Sequence, residues 1–199
     1  MYNPIIHKRR SIRLKDYDYS SEGLYFITLC IADRKNIFGE IINGGMELNS
    51  FGKIAVEEWV KTPEIRKNIS LGNFIIMPNH MHGIISIDFS IKPKANENKG
   101  KFHSPSQTIG AIIRGYKGAT TKRINNLIRQ IKEDSRSTGE LQFAPTGDFF
   151  FIQANKLRGE GSIWQRNYYE HIIKTERAYQ NISNYILNNP SKWEADKLK

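Results

Sequence analysis

The chain has 199 residues, of which 39% are hydrophobic and 11% aromatic. That is enough for one sizeable domain with its own core, and too apolar for a disordered chain. Its 30 Lys+Arg against 20 Asp+Glu leave a net charge of +10, which points to a polyanionic partner, nucleic acid before an anionic membrane surface. A lone cysteine, Cys30, excludes a disulfide framework and cysteine-based zinc sites, and fits the cytoplasm. The sequence shows no signal-peptide core, no apolar run of bilayer length and no GxxxxGK[ST] phosphate loop.

Residues 1–22 are polar and basic and read as an arm, with Arg9, Arg10 and Arg13 as candidate phosphate contacts. Leu24 to Ala32 is β-branched and aromatic and reads as a central strand. Ile37 to Ile42 is a second strand, and Asn43-Gly44-Gly45 turns it into a short third, Met46 to Leu48. Asn49 or Ser50 caps a helix whose Ile54, Val56, Trp59 and Val60 recur at helical spacing. Pro63 marks a break or a new first turn. Phe74 to Ile87 is the most apolar run and reads as one strand, bent at Met77-Pro78-Asn79 because proline cannot donate to a central ladder. Residues 89–106 are a flexible loop. A long helix then runs from about Gln107 to Ile131. Its apolar stripe includes Ile109, Ile112, Ile113, Tyr116, Ile124 and Ile128. Arg114, Lys117, Lys122 and Arg129 lie mostly on its other side and are candidate phosphate contacts. Residues 132–160 form a polar insertion around Phe149-Phe150-Phe151-Ile152, which reads as a hairpin strand. A last helix is capped by Thr175 and stopped by Pro190, which is expected to hold Asn189 away from helical dihedrals. This order implies an α+β fold, one antiparallel sheet with helices packed on one face and the Phe74 strand near its middle.

That strand carries His80 and His82. Residues i and i+2 of a strand share a face, so the two imidazoles stand side by side with Met81 on the opposite face. Such a pair can chelate a metal, although alone it reads more plainly as two polar residues on a wet face. A metal site needs a further ligand. Tyr185 and Asn189, four apart on the last helix, share a face. The amide oxygen is a candidate third ligand, and the phenol a candidate nucleophile needing electrostatic help. Tyr116 reads as core, Tyr168 and Tyr169 as packing or DNA-facing residues, His171 as structural, and His7 and His103 as solvated.

The segment Met77-Pro78-Asn79-His80-Met81-His82-Gly83 resembles the His–hydrophobic–His signature of HUH endonucleases. With Ile163-Trp164-Gln165-Arg166-Asn167-Tyr168-Tyr169-Glu170-His171-Ile172-Ile173 and Asn184-Tyr185-Ile186-Leu187-Asn188-Asn189-Pro190, the chain is similar to the REP-associated tyrosine transposases. These are relatives of the single-tyrosine transposases of bacterial insertion sequences. The resemblance implies a ferredoxin-like (RRM-like) fold and one transposase domain over residues 23–193, followed by a tail, 194–199. It implies cleavage and rejoining of single-stranded DNA beside hairpin palindromes, with Mg²⁺ or Mn²⁺ on His80, His82 and Asn189, and with Tyr185 forming a 5′-phosphotyrosine. Insertion-sequence relatives usually carry glutamine where this chain has Asn189. Arg166 is a further candidate DNA contact, and the protein is expected to be a monomer or homodimer without a membrane partner. The alternatives are a non-catalytic single-stranded nucleic-acid-binding module on an RRM-like sheet, and an HUH replication initiator or relaxase.

Overall fold

Alternation along Gly23–Cys30 sets the architecture. Tyr25, Ile27 and Leu29 point into the main core, while Phe26 belongs to a second cluster on the other face. A computed structural model gives the fold and describes residues 17–90, 107–138 and 163–199. Arg9, Arg10, Arg13, His7, His103 and Phe149–Ile152 lie outside the described residues.

The elements are β1 (Gly23–Cys30), β2 (Gly39–Ile42), β3 (Gly45–Leu48), α1 (Ser50–Val60), α2 (Thr62–Ile65), β4 (Ile69–Ile76), β5 (His80–Ile87), α3 (Ile109–Thr138), β6 (Tyr169–Ile173) and α4 (Glu176–Leu187). The main sheet has the order β4-β5-β1-β6 with antiparallel neighbours. Omitting the β2–β3 hairpin and α4, this is the ferredoxin-like β-α-β-β-α-β path. The hairpin turns on Asn43 and Gly44, both at positive φ, as a two-residue turn requires. Asn49 caps α1 by accepting from the Phe51 and Gly52 amides, and Pro63 falls in the first turn of α2.

Helices α1 and α3 cover one face of the sheet. Trp59, Ile54, Ile112, Ile113 and Tyr116 pack there against Tyr25, Ile27, Met81 and Ile85. Full burial of each large apolar side chain stabilises by about 1.5–3 kcal/mol. Tyr116 is core, as its place on the stripe implies, and its hydroxyl donates to the Ala55 carbonyl. Gly83 on β5 lies beneath Trp59; a Cβ there would meet Trp59 Cζ2 at 2.5 Å.

Four expectations change. The Phe74–Ile87 run is not one bent strand but the second half of β4, a reversal at Met77–Asn79, and β5. The Met77 amide donates to His80 O, and Pro78 O accepts from the Ile37 and Phe38 amides. The strand does not begin at Phe74: residues 70–73 lie within β4, where the register shifts between Leu71 and Phe74. Both arms have buried faces, so apolar periodicity carries no mark of the turn. Helix α3 continues to Thr138, so residues 132–138 of the supposed insertion are helical. The WQRNYYEHII block supplies an edge strand, β6, absent from the sequence reading.

The last helix, α4, lies on the opposite face from α1 and α3. Its Ile186 joins Phe26, Ile84 and Ile173 in the second cluster, with Ala178, Tyr179 and Ile182 at the rim. The arm is also partly integral. Tyr19 is buried, its carbonyl accepts from the Ile109 amide, and Tyr25 Oη donates to Ser21 O.

Candidate metal and tyrosine centre

Strand alternation puts Met81 in the main core and His80 and His82 on the face that α4 crosses. Their rings lie 4.7 Å apart. His80 is 0% and His82 2% exposed, so the plainer reading of two polar residues on a wet face does not hold. Each ring is stacked, His82 on Phe26 at 5.4 Å and His80 on Trp193 at 6.0 Å.

Hydrogen bonds fix how the rings present their nitrogens. Asn79 Nδ2 donates to the carbonyls of Leu198 (2.8 Å) and Arg34 (3.3 Å). Its Oδ1 therefore faces His80 Nδ1, at 2.7 Å, and must accept from it. The proton of neutral His80 sits on Nδ1, and Nε2 turns its lone pair into the site. His82 Nδ1 is 2.8 Å from Thr28 Oγ1, directly across the β1–β5 ladder. His82 Nε2 faces the Tyr185 hydroxyl at 3.2 Å. Burial pushes the His80 imidazole down to about 4, with the Asp196 carboxylate opposing that shift. Burial, reinforced by His80, pushes His82 down to about 3. Both rings are thus neutral near pH 7, the form that binds metal.

Two oxygens complete the group. Asn189 is 3% exposed, and its Oδ1 is buried without a hydrogen-bond partner. Its neighbourhood touches both His80 and Tyr185. Pro190 does not force it out of the helical region: Asn189 has φ −61 and ψ −43, and its amide donates to Ile186 O. The pre-proline bias is a preference, and the 3-10 turn Pro190–Ala195 outweighs it here. The second oxygen comes from Asp196, a residue the sequence reading did not single out. Its Oδ1 accepts from the Leu198 amide at 2.7 Å. Its Oδ2 is buried and unpaired, 3.6 Å from His80 Nε2, which is unpaired as well. His80, His82 and Asp196 each offer a ligand atom, all within 4.8 Å of one another. The residues 194–199 set apart as a tail are thus fastened to the site through Asn79, Arg34 and Asp196. Arg34 and Asp33 take left-handed dihedrals to make that loop, φ 53 and 55. No spacing rule ties Asp196 to the histidines; only an acidic side chain shortly beyond Asn189 hinted at it.

Tyr185 is 43% exposed. Burial of its inner part and the Asp196 charge push its phenol up from the ordinary value, while the Asn189 hydrogen bond pulls it down. The phenol is protonated in this state and directs its hydroxyl at His82. Two neutral imidazole nitrogens and two orphaned buried oxygens form a donor set that fits a divalent cation, the oxygens admitting Mn²⁺ or Mg²⁺.

The structure thus brings Tyr185, His80, His82 and Asn189 together and leaves the basic candidates apart. Arg114, Lys122 and Arg129 are exposed on α3, which covers the other face of the sheet. Lys117, read as a phosphate contact, instead donates to the carbonyls of Gln165 (2.8 Å) and Asn167 (3.1 Å). Burial pushes its ammonium down to about 8. Arg166 is exposed just before β6.

The fold is that of the REP-associated tyrosine transposases. A solved REP-associated tyrosine transposase bound to a REP hairpin superposes with a TM-score of 0.51 at 16% identity, over 94% of this chain and 77% of that one. No family model matches the chain. An uncharacterized protein of Haemophilus influenzae is 39% identical over 207 residues, covering 99% of this chain and 96% of the relative. The chain belongs to the same family as that protein.

Proposed function

We propose that the protein is a metal-dependent endonuclease and strand transferase, a transposase acting on single-stranded DNA beside palindromic hairpins. One observation carries the reading. A tyrosine hydroxyl stands 3.2 Å from a buried histidine nitrogen, next to a pocket of unpaired donor atoms from His80, Asn189 and Asp196. Structural burial alone gives no reason to leave three polar atoms orphaned at one point, because each costs about 1–3 kcal/mol. The solved neighbour's REP hairpin agrees with a DNA substrate, as does the net charge of +10.

His80, His82, Asp196 and Asn189 would hold the cation. When bound, it supplies Lewis-acid polarisation of a phosphate oxygen. Tyr185 is the nucleophile. Its oxygen gives up the phenol proton and forms the bond to phosphorus, the bond to the 3′-oxygen breaks, and the departing strand leaves as a 3′-hydroxyl, taking up one proton, so that none is gained or lost overall. The product is a 5′-phosphotyrosine that keeps the phosphodiester energy for rejoining, so no nucleotide cofactor is needed. Helix α4 carries the phenol and Asn189 on one face, which orients nucleophile and ligand together.

The test incubates labelled hairpin DNA bearing a single-stranded flank with the protein and Mn²⁺. The wild type is expected to form a covalent adduct stable to denaturation, and Tyr185→Phe none. An adduct of equal yield with Tyr185→Phe would assign the nucleophile elsewhere, and no adduct on a set of such hairpins would remove the cleavage reading.

A further inference from the structure

Helix α4 packs mainly over the β4 side of the histidine face; on β6 it buries Ile173, while Tyr169 and His171 are exposed. Strand β6 ends the sheet among the described residues. Its register with β1 pairs Thr28 with Tyr169 and Phe26 with His171, so Tyr169 and His171 rise on the same face as Phe26, Thr28 and the two site histidines. Glu170 and Ile172 alternate to the other face. His171 is exposed, and Tyr169 is 52% exposed. An aromatic ring half in water on a sheet surface adds little to the core, so packing does not explain it. Two exposed cations, Arg166 and Lys174, flank the strand.

The position relative to the reaction matters as much as the composition. Tyr169 meets Phe26 edge-on at 6.3 Å between ring centroids, and Tyr185 meets the same Phe26 at 6.2 Å. A strand threaded past the Tyr185 hydroxyl therefore passes Tyr169 within a few nucleotides. Exposed Tyr169 and His171, with cations Arg166 and Lys174 in the segments at either end of the strand, combine phosphate attraction with ring faces, the pairing that single-stranded nucleic acid binds.

We infer that the open β6 stripe seats the unpaired bases next to the scissile phosphate, with Tyr169 as the stacking ring and Arg166 and Lys174 on the flanking phosphates. This rests on the cleavage reading for the identity of the strand, and it adds to that reading a subsite on another element. Stacking tolerates any base, so the stripe selects unpaired over paired DNA and does not select sequence.

Binding is measured in the Tyr185→Phe background, so that cleavage plays no part. The probe is a fluorescent hairpin with a single-stranded extension, and its control is the same hairpin without the extension. Tyr169→Ala is expected to weaken binding of the extended hairpin about 5- to 150-fold. Tyr169→Phe keeps the ring and stays within about two-fold, and neither variant alters binding of the bare hairpin. A 2-aminopurine in the extension is quenched by the Tyr169 protein and not by Tyr169→Ala. Equal affinity of Tyr169→Ala for the extended hairpin, or an equal loss on the bare hairpin, overturns the stripe. Thermal melts confirm that the exposed substitution leaves the fold intact. The covalent adduct is scored separately with Tyr185 present. Its absence removes the cleavage reading, whereas the stacking result stands or falls on the binding data alone.

Discussion

The two faces of the sheet are built from the same strands and do different work. On one face, Tyr25, Ile27, Met81 and Ile85 close against α1 and α3 in an apolar core. On the other, one residue along, Thr28, His80 and His82 meet Tyr185, Asn189 and Asp196. Both are buried, but their burial has opposite consequences. Apolar burial lowers the free energy of the folded chain. Burial of His80 Nε2, Asn189 Oδ1 and Asp196 Oδ2 without partners raises it. The second face is a place where the fold gives up stability to keep donor atoms available, and the first supplies the stability that permits it.

Adjacent residues of β5 offer the most direct way to break this contrast. Met81→Ala empties a fully buried site in the main core and is expected to cost about 2–5 kcal/mol. His82→Ala removes a donor atom from the other face. It is expected to abolish Mn²⁺ binding and the covalent adduct while leaving the melting temperature near that of the wild type. Chemical denaturation and metal titration of the two variants check this. A His82→Ala protein as unstable as Met81→Ala would show that the histidine face is core after all.

The contrast also decides what the sequence could reveal. Strand periodicity placed Met81 inward and His80 and His82 together, because that rule is local. Helical spacing placed Tyr185 and Asn189 together for the same reason. The reversal at Pro78 stayed hidden because the residues on both sides of it are largely apolar and buried, and a run this apolar does not show that the inward-facing phase switches between Ile76 and Met81. Asp196 stayed hidden because its approach to His80 depends on the 3-10 turn after Pro190 and on contacts from Asn79 and Arg34 to Leu198 O. Those contacts are long-range, and no spacing encodes them. The bonds from Lys117 to the Gln165 and Asn167 carbonyls stayed hidden because a cation on the polar side of a helix looks the same in sequence whether it meets solvent or backbone carbonyls.

Asn79 is the joint between these contacts and sharpens the comparison without touching either core. It fixes the His80 tautomer through Oδ1 and holds the Asp196 segment through Nδ2. Asn79→Ala is expected to weaken Mn²⁺ binding about 10- to 100-fold, as loss of an outer partner of a histidine ligand does. Asn79→Asp should retain the acceptor for His80 and lose the donor to Leu198 O, giving a smaller loss. Titration of Mn²⁺ by electron paramagnetic resonance separates the two. Equal affinity in all three proteins would remove Asn79 from the positioning of the site.

Acid is the mildest probe of the same difference. Above about pH 6.5 the imidazoles of His80 and His82 are neutral in both folded and unfolded chains and make no difference to the balance. As pH falls below that value, the unfolded chain takes up protons that the buried rings refuse until about 4 and about 3. The unfolded state then binds more protons, so stability falls with falling pH and levels off below those values. The metal-free protein, melted in a chelator, should lose thermal stability steadily between pH 6.5 and 4. Asp196→Asn removes the carboxylate that favours protonated His80, so its slope should be steeper. A variant with glutamine at both 80 and 82 should have a shallower slope than either. A slope unchanged by the double substitution would mean that the acid sensitivity arises elsewhere and that these rings are less buried than their contacts imply.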